Sequence, residues 1–142
     1  MSLSFLLPID GSNPSLRAID YVLHIAKELK APPTVHLLNV QPSLHGDISR
    51  FVSADQLAEF HRDEGHKALL EAVKKLADSA LEVHQHVVVG ECVPSILEVA
   101  KREACDQIII GSRGHGGLSG VLLGSVSARL THFSPLPLTL VR

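Results

Sequence analysis

Short apolar runs alternate with helix-patterned segments along the whole of this chain, and that alternation limits the folds open to it more than any other feature. Residues 4–9 form an apolar run that ends at Asp10-Gly11-Ser12-Asn13-Pro14. Ser12 or Asn13 can cap a helix there, and Pro14 suits a first turn, where its missing N–H would be unpaired anyway. Leu16, Ile19, Leu23 and Ala26 then recur at helical spacing, and Pro32-Pro33 stops the helix. Residues 34–40 read as a second buried strand, and 41–54 as a loop. The longest helical pattern runs from about 55 to 80, with Leu69, Ala72, Val73, Leu76 and Ala80 on one stripe. Gly65 interrupts it at a cost of about 1 kcal/mol relative to alanine. Residues 83–89 are strand-like. Pro94-Ser95 opens a short helix with Ile96, Val99 and Ala100 inward, 107–110 form an apolar strand, 125–133 a helix and 136–141 a last strand.

The order β-α-β-α-β-α-β-α-β predicts a doubly wound α/β domain. Each parallel return needs a crossover helix, so the sheet is mostly parallel with helices on both faces. At 142 residues, with no linker, repeat or low-complexity tract, the chain reads as one domain spanning 1–142. A formal net charge of −2 gives no basic field for nucleic acid or an acidic membrane. Four Phe, one Tyr and no Trp make a poor platform for stacking bases. No segment approaches the ~18 apolar residues of a membrane span, and the N-terminal residues read as a strand, not a signal peptide. The expected compartment is the cytoplasm.

In an open parallel sheet, ligands bind beyond the carboxyl ends of the strands where the strand order reverses. Two such ends carry unusual chemistry. The first strand ends in Asp10-Gly11-Ser12, and the fourth runs into Gly111-Ser112-Arg113-Gly114-His115-Gly116-Gly117. A strand order of 3-2-1-4-5 would bring both clusters to one crevice. Glycines at 111, 114, 116, 117, 120 and 124 let a phosphate approach backbone amides. Gly124-Ser125 opens a helix whose free N–H groups and positive dipole end favour an anion, and Ser125 and Ser127 add hydroxyls. The bland reading of the same glycines is a flexible loop.

The commoner nucleotide and hydrolase motifs fail on inspection. A P-loop from Gly111 needs lysine where Gly117 stands. A dinucleotide fingerprint from Gly114 meets Ser119 where its third glycine belongs, and after strand one there is only Gly11. A nucleophile elbow at Ser119 has Gly117 two before it but Val121 two after.

With Asp10-Gly11-Ser12 after strand one, and Gly111-x-x-Gly114, nine residues, then Gly124-Ser125, the chain resembles the universal stress protein family. The resemblance extends through residues 90–100 and the closing 138–142. It implies an ATP-binding regulatory protein. Alternatives are a slow ATPase or phosphotransferase, or a stress-linked interaction protein that binds no nucleotide. It also implies site roles: Gly111, Gly114, Gly124 and Ser125 on ribose and phosphates, with Val126 and Ser127 in the same helical turn. Asp10, next to Gly11, would face the ribose or a phosphate-bound Mg²⁺, and the Val40 backbone would bond adenine. Leu136-Pro137 replaces the family's usual Cys-Pro, and His115 stands where many relatives carry another polar residue.

Other residues keep two readings. Asp10 would equally cap the next helix. Arg113 and His115 would meet phosphate charge or simply be solvated. His84 and His86 share one face of a strand and would chelate a metal, though no third ligand is evident in the sequence. Cys92 and Cys105 read as small packing residues. The last strand, 136–141, forms a sheet edge without lysine or glutamate, which predicts a homodimer built by edge pairing. Such pairing is common in the resembled family. Pro137 opposes it by removing a ladder donor.

Overall fold

The structure, a computed structural model, describes residues 2–44, 51–112 and 124–142. Its elements follow the predicted order: β1 Ser4–Pro8, α1 Asn13–Ala26, β2 Thr34–Gln41, α2 Ala54–Leu76, β3 Glu82–Val89, α3 Cys92–Arg102, β4 Gln107–Gly111, α4 Ser125–Phe133 and β5 Leu138–Val141. All described strand pairs are parallel, in the order β3-β2-β1-β4-β5. The chain therefore forms a five-stranded doubly wound α/β sheet, as the alternation required.

Handedness distributes the helices. The chain moves from β1 to β2 to β3 in one direction across the sheet, then crosses back to β4 and β5. Right-handed crossovers in opposite directions place their helices on opposite faces. Accordingly α1 and α2 pack Ala18, Ile19, Val22, Leu69 and Ala72 on Phe5, Leu7, Val35, Leu37 and Ile109. On the other face, α3 and α4 pack Val93, Ile96, Val99 and Leu130 on Leu6, Leu38, Ile108 and Ile110. The central strands β1 and β4 are apolar on both sides because both sides are covered.

Several element ends differ from expectation. Helix α2 starts in a capping box: Ser53 Oγ accepts from the Gln56 amide (3.1 Å), and Gln56 Oε1 accepts from the Ser53 amide (2.9 Å). It stops at Leu76, a turn short of the expected end. Ala80, placed on the helical stripe by its spacing, instead adopts φ +62°, and the Ser79 hydroxyl donates to the Leu76 carbonyl (2.6 Å). Helix α3 begins at Cys92, so Pro94 lies inside its first turn, where no amide is missed. Strand β5 begins at Leu138, not 136.

Gly65 lies where α2 crosses β3. A Cβ there would stand 2.3 Å from Val87 Cγ1 and 2.6 Å from its Cγ2. The propensity cost read from sequence thus permits close helix–strand packing. We expect Gly65→Ala to destabilise the protein by about 1–2 kcal/mol in urea denaturation, overpacking outweighing the helix-propensity gain. Trimming the obstacle in Gly65→Ala/Val87→Ala should recover part of that loss, giving a non-additive double-mutant cycle.

Candidate functional site

The carboxyl ends of β1 and β4, neighbours in the sheet, form the point where the strand order reverses. Strand β1 runs out through Ile9 into a tight turn. The Asp10 carboxylate accepts from the Ser12 amide (Oδ1, 2.9 Å) and from the Ser12 hydroxyl. Gly11, between them, has φ +85°. Ser12 in turn caps α1: its Oγ accepts from the Ser15 amide (3.4 Å), and its carbonyl accepts from the Ser15 hydroxyl (2.9 Å). Asp10 therefore reaches the helix cap through Ser12, and Ser12 itself is the N-cap.

Asn39 holds the same turn from β2. It is buried, and its Nδ2 donates to the Ile9 carbonyl (2.8 Å) while its Oδ1 accepts from Gln41 Nε2 (2.6 Å). The sequence reading did not single it out. The available signal was an amide following the apolar pair Leu37-Leu38 near the end of the strand. Beside it, Val40 follows the alternation of a parallel ladder. The Leu38 carbonyl accepts from Ile9 on the β1 side and the Gln41 carbonyl accepts from Gly90 on the β3 side. Val40 shares Leu38's parity, so its N–H and C=O aim toward β1 at a level where β1 has already turned away.

The end of β4 is built around close approach. A Cβ on Gly111 would lie 2.3 Å from the Pro14 carbonyl oxygen and 2.7 Å from its carbon, so the first turn of α1 sits directly on the strand. Ser112 follows, buried, with its amide donating to the Val141 carbonyl of β5 (2.8 Å). Its carbonyl accepts from the Gly124 amide (2.5 Å) and from the Ser127 hydroxyl (3.2 Å). The start of α4 is thereby clasped to the end of β4. Arg113, Gly114 and His115 lie outside the described residues.

At α4, Gly124 is the N-cap and offers no side-chain cap. The amides of the first turn point out along the helix axis toward the crevice, as the geometry of any helix start requires. Ser125 is exposed there, whereas Val126 packs its side chain on the α3–α4 face of the sheet, leaving its amide as the group to offer a ligand. Ser127 departs from expectation. It is buried, and its hydroxyl hydrogen is directed at the carbonyls of Ser112 and Gly124 (3.2 and 3.1 Å), so it works in the clasp and not as an exposed donor.

Electrostatics connect the crevice to α3. Burial first, and then the Asp10 carboxylate, push the Cys92 thiol above its ordinary pKa, with Arg129 opposing. Cys105 is pushed up to about 11, chiefly by burial. Both thiols are protonated at neutral pH, which fits packing more than reactivity.

A doubly wound domain of this order, with its first helix seated on a β4 glycine and α4 clasped to the same strand, matches the model of the universal stress protein family over residues 1–142. The chain belongs to that family. Among its relatives, universal stress protein YxiE of Bacillus subtilis is 32% identical over 96% of this chain and 97% of its own. The solved structure of MJ0577, a universal stress protein of Methanocaldococcus jannaschii, is 28% identical, covers 99% of this chain and 96% of its own, and superposes with a TM-score of 0.82. The same fold occurs in a universal stress protein in complex with cAMP (24% identity, 99% and 97% covered, TM-score 0.70). It occurs again in an Arabidopsis thaliana family member with AMP bound (19% identity, 98% and 90% covered, TM-score 0.69). Among the described residues, no helix is long and apolar enough to cross a membrane.

Gly111→Ala should therefore act as a packing lesion. The neighbouring atoms are backbone, unable to swing aside, so we expect a loss of at least about 2 kcal/mol in denaturant unfolding. Unchanged stability would show that α1 can lift off β4.

Proposed function

We propose that this universal stress protein is an adenine-nucleotide-binding regulatory protein of the stress response, with ATP as its ligand and Mg²⁺ carried on the phosphates. The clasp between Ser112 and Gly124 is the observation that carries this reading. It holds the start of α4, which has no side-chain cap, at the carboxyl end of β4, next in the sheet to β1 and the Asp10 turn that follows it. Family relatives with AMP and cAMP support the ligand class. In this reading the first-turn amides of α4, at Ser125 and Val126, meet phosphate oxygens with the favourable end of the helix dipole. Gly114 and Arg113 complete the phosphate side, and Val40 bonds the adenine edge. Asp10, with Gly11, faces the ribose or the cation; a single carboxylate plus phosphate oxygens is a donor set that Mg²⁺ commonly accepts.

Calorimetry with Mg-ATP tests this directly. Gly124→Val should abolish binding while a thermal melt shows a folded protein. Asp10→Ala should weaken it by about 1–3 kcal/mol if the carboxylate meets ligand. A loss of about 1 kcal/mol in stability with affinity kept would mean that Asp10 serves only the turn. Failure of the unaltered protein to bind ATP, AMP or cAMP would remove the reading altogether.

We also propose a homodimer formed by antiparallel pairing of β5 with its copy. Support comes from the ladder itself. The Pro137 and Val141 carbonyls accept from Ile108 (3.0 Å) and Ser112 (2.8 Å), so residues 137, 139 and 141 face β4. Leu138 and Leu140 therefore aim their backbone groups at the open edge. The donor that Pro137 lacks is on the inner side, and it does not oppose edge pairing as the sequence suggested. A proline at Thr139 would break the internal ladder and report nothing about the edge. Leu140→Pro removes an outward donor. In sedimentation at tens of micromolar, the native chain should be a dimer and Leu140→Pro, still folded by circular dichroism, a monomer. A native monomer would end the proposal.

A further inference from the structure

His84 and His86 stand out in the sequence as a possible chelating pair, but the fold joins His86 to different partners. Register sets His36 of β2 beside His84 and places His86 two residues further along β3, opposite Leu38. All three imidazoles thus lie on the sheet face covered by α3. His84 turns to Glu82 (Nε2 to Oε2, 3.0 Å) and stacks on His36, with ring centroids 4.9 Å apart. His36 is buried, and its Nδ1 lies 3.0 Å from His86 Nε2. Glu103, at the C-cap of α3, brings Oε1 to 3.9 Å from the same His86 nitrogen, and its other oxygen is held by Arg102 Nε at 3.1 Å. The three donor atoms, one each from His36, His86 and Glu103, lie within 4.8 Å of one another.

A hydrogen bond between the two rings accounts for their approach but leaves the Glu103 carboxylate, 3.9 Å from His86, outside it. If His36 donates, the single lone pair of His86 Nε2 accepts that hydrogen and the nitrogen has nothing to offer the Glu103 carboxylate. If His86 donates, its single hydrogen goes to His36 and Glu103 stays beyond hydrogen-bond range. A cation among the three atoms would engage both nitrogens and the carboxylate together. Zn–N bonds of about 2.0–2.1 Å in a tetrahedral site set ligand atoms about 3.3 Å apart; the two nitrogens, 3.0 Å apart, stand near that spacing, and the carboxylate, 3.9 Å from His86, would draw in on binding. Burial, the largest influence on both histidines, holds each pKa below its usual value and leaves the rings neutral, as ligands must be. Arg102 fixes the carboxylate from behind, as outer partners of metal ligands commonly do. We propose that His36 Nδ1, His86 Nε2 and Glu103 Oε1 form a binding site for a divalent transition cation of the Zn²⁺ class, with water completing its coordination. Two imidazoles and a carboxylate suit such ions better than Mg²⁺ or Ca²⁺. The site lies away from the nucleotide crevice, because α3 runs from Cys92, near Asp10, down to Glu103 at the opposite end of the strands.

Chelator-stripped, nucleotide-free protein should be titrated with Co²⁺, whose visible absorption reports coordination, and then with Zn²⁺ in competition. We expect one ion per chain, four- or five-coordinate Co²⁺ bands without thiolate charge transfer, and displacement by Zn²⁺. His86→Gln and Glu103→Gln should each weaken binding at least tenfold, while their metal-free melting temperatures show that both remain folded. His36 is buried and its replacement risks the core, so the more accessible pair carries the test. Affinity equal to the native chain in both variants, thiolate bands from Cys92 or Cys105, or no binding at about 100 µM metal would each overturn the site.

Discussion

The seat of α1 on β4 organises this molecule. Gly111 comes so near the Pro14 carbonyl that no side chain fits between them. This contact fixes the first helix against a strand that is not its sequence neighbour, across the point where the sheet reverses direction. Everything at the crevice is referred to it. Ser12, which caps α1, is held by Asp10. Ser112, the next residue along β4, holds the start of α4. A glycine counted by its motif as a phosphate contact is thus first a packing requirement, and the proposed contact is compatible with it because a bare backbone can serve both.

The polar groups around the crevice work mainly on one another. Asp10 ties the Ser12 turn, Asn39 ties the Ile9 carbonyl, and Ser127 ties Ser112 to Gly124. Buried polar atoms of this kind must be satisfied, and in doing so they set the backbone amides and carbonyls in place before any ligand arrives. In the proposed function, recognition falls to main-chain groups of α4 and β2, which require order more than particular side chains. Such recognition would suit a motif rich in glycine and poor in charged residues. The histidine and glutamate cluster under α3 is built on the other principle, side chains converging from three elements, and it lies at the far end of the same helix.

Alternation of apolar runs and helical periods was enough to specify five strands, the helices between them and a parallel sheet, since short-range pattern is what hydrophobic burial writes into a chain. The turn at 10–12 and the start of the segment at 111–125 were placed in sequence at the ends of what prove to be neighbouring strands, because a tight turn and a helix start both leave local traces. Gly65 carried a signal too, but its sign was misread: propensity counts what a residue does to its own helix, while Val87 belongs to another element. What the tertiary structure alone decided are relations between segments distant in sequence. These include which residue clasps which, the burial of the Ser127 hydroxyl, and the direction in which each amide of β5 points. His86 meets His36 and Glu103 only through strand register and the reach of α3, separations of 50 and 17 residues (86 − 36 and 103 − 86) that no local pattern encodes. Periodicity is a property of neighbours along the chain, whereas convergence of donors is created by packing.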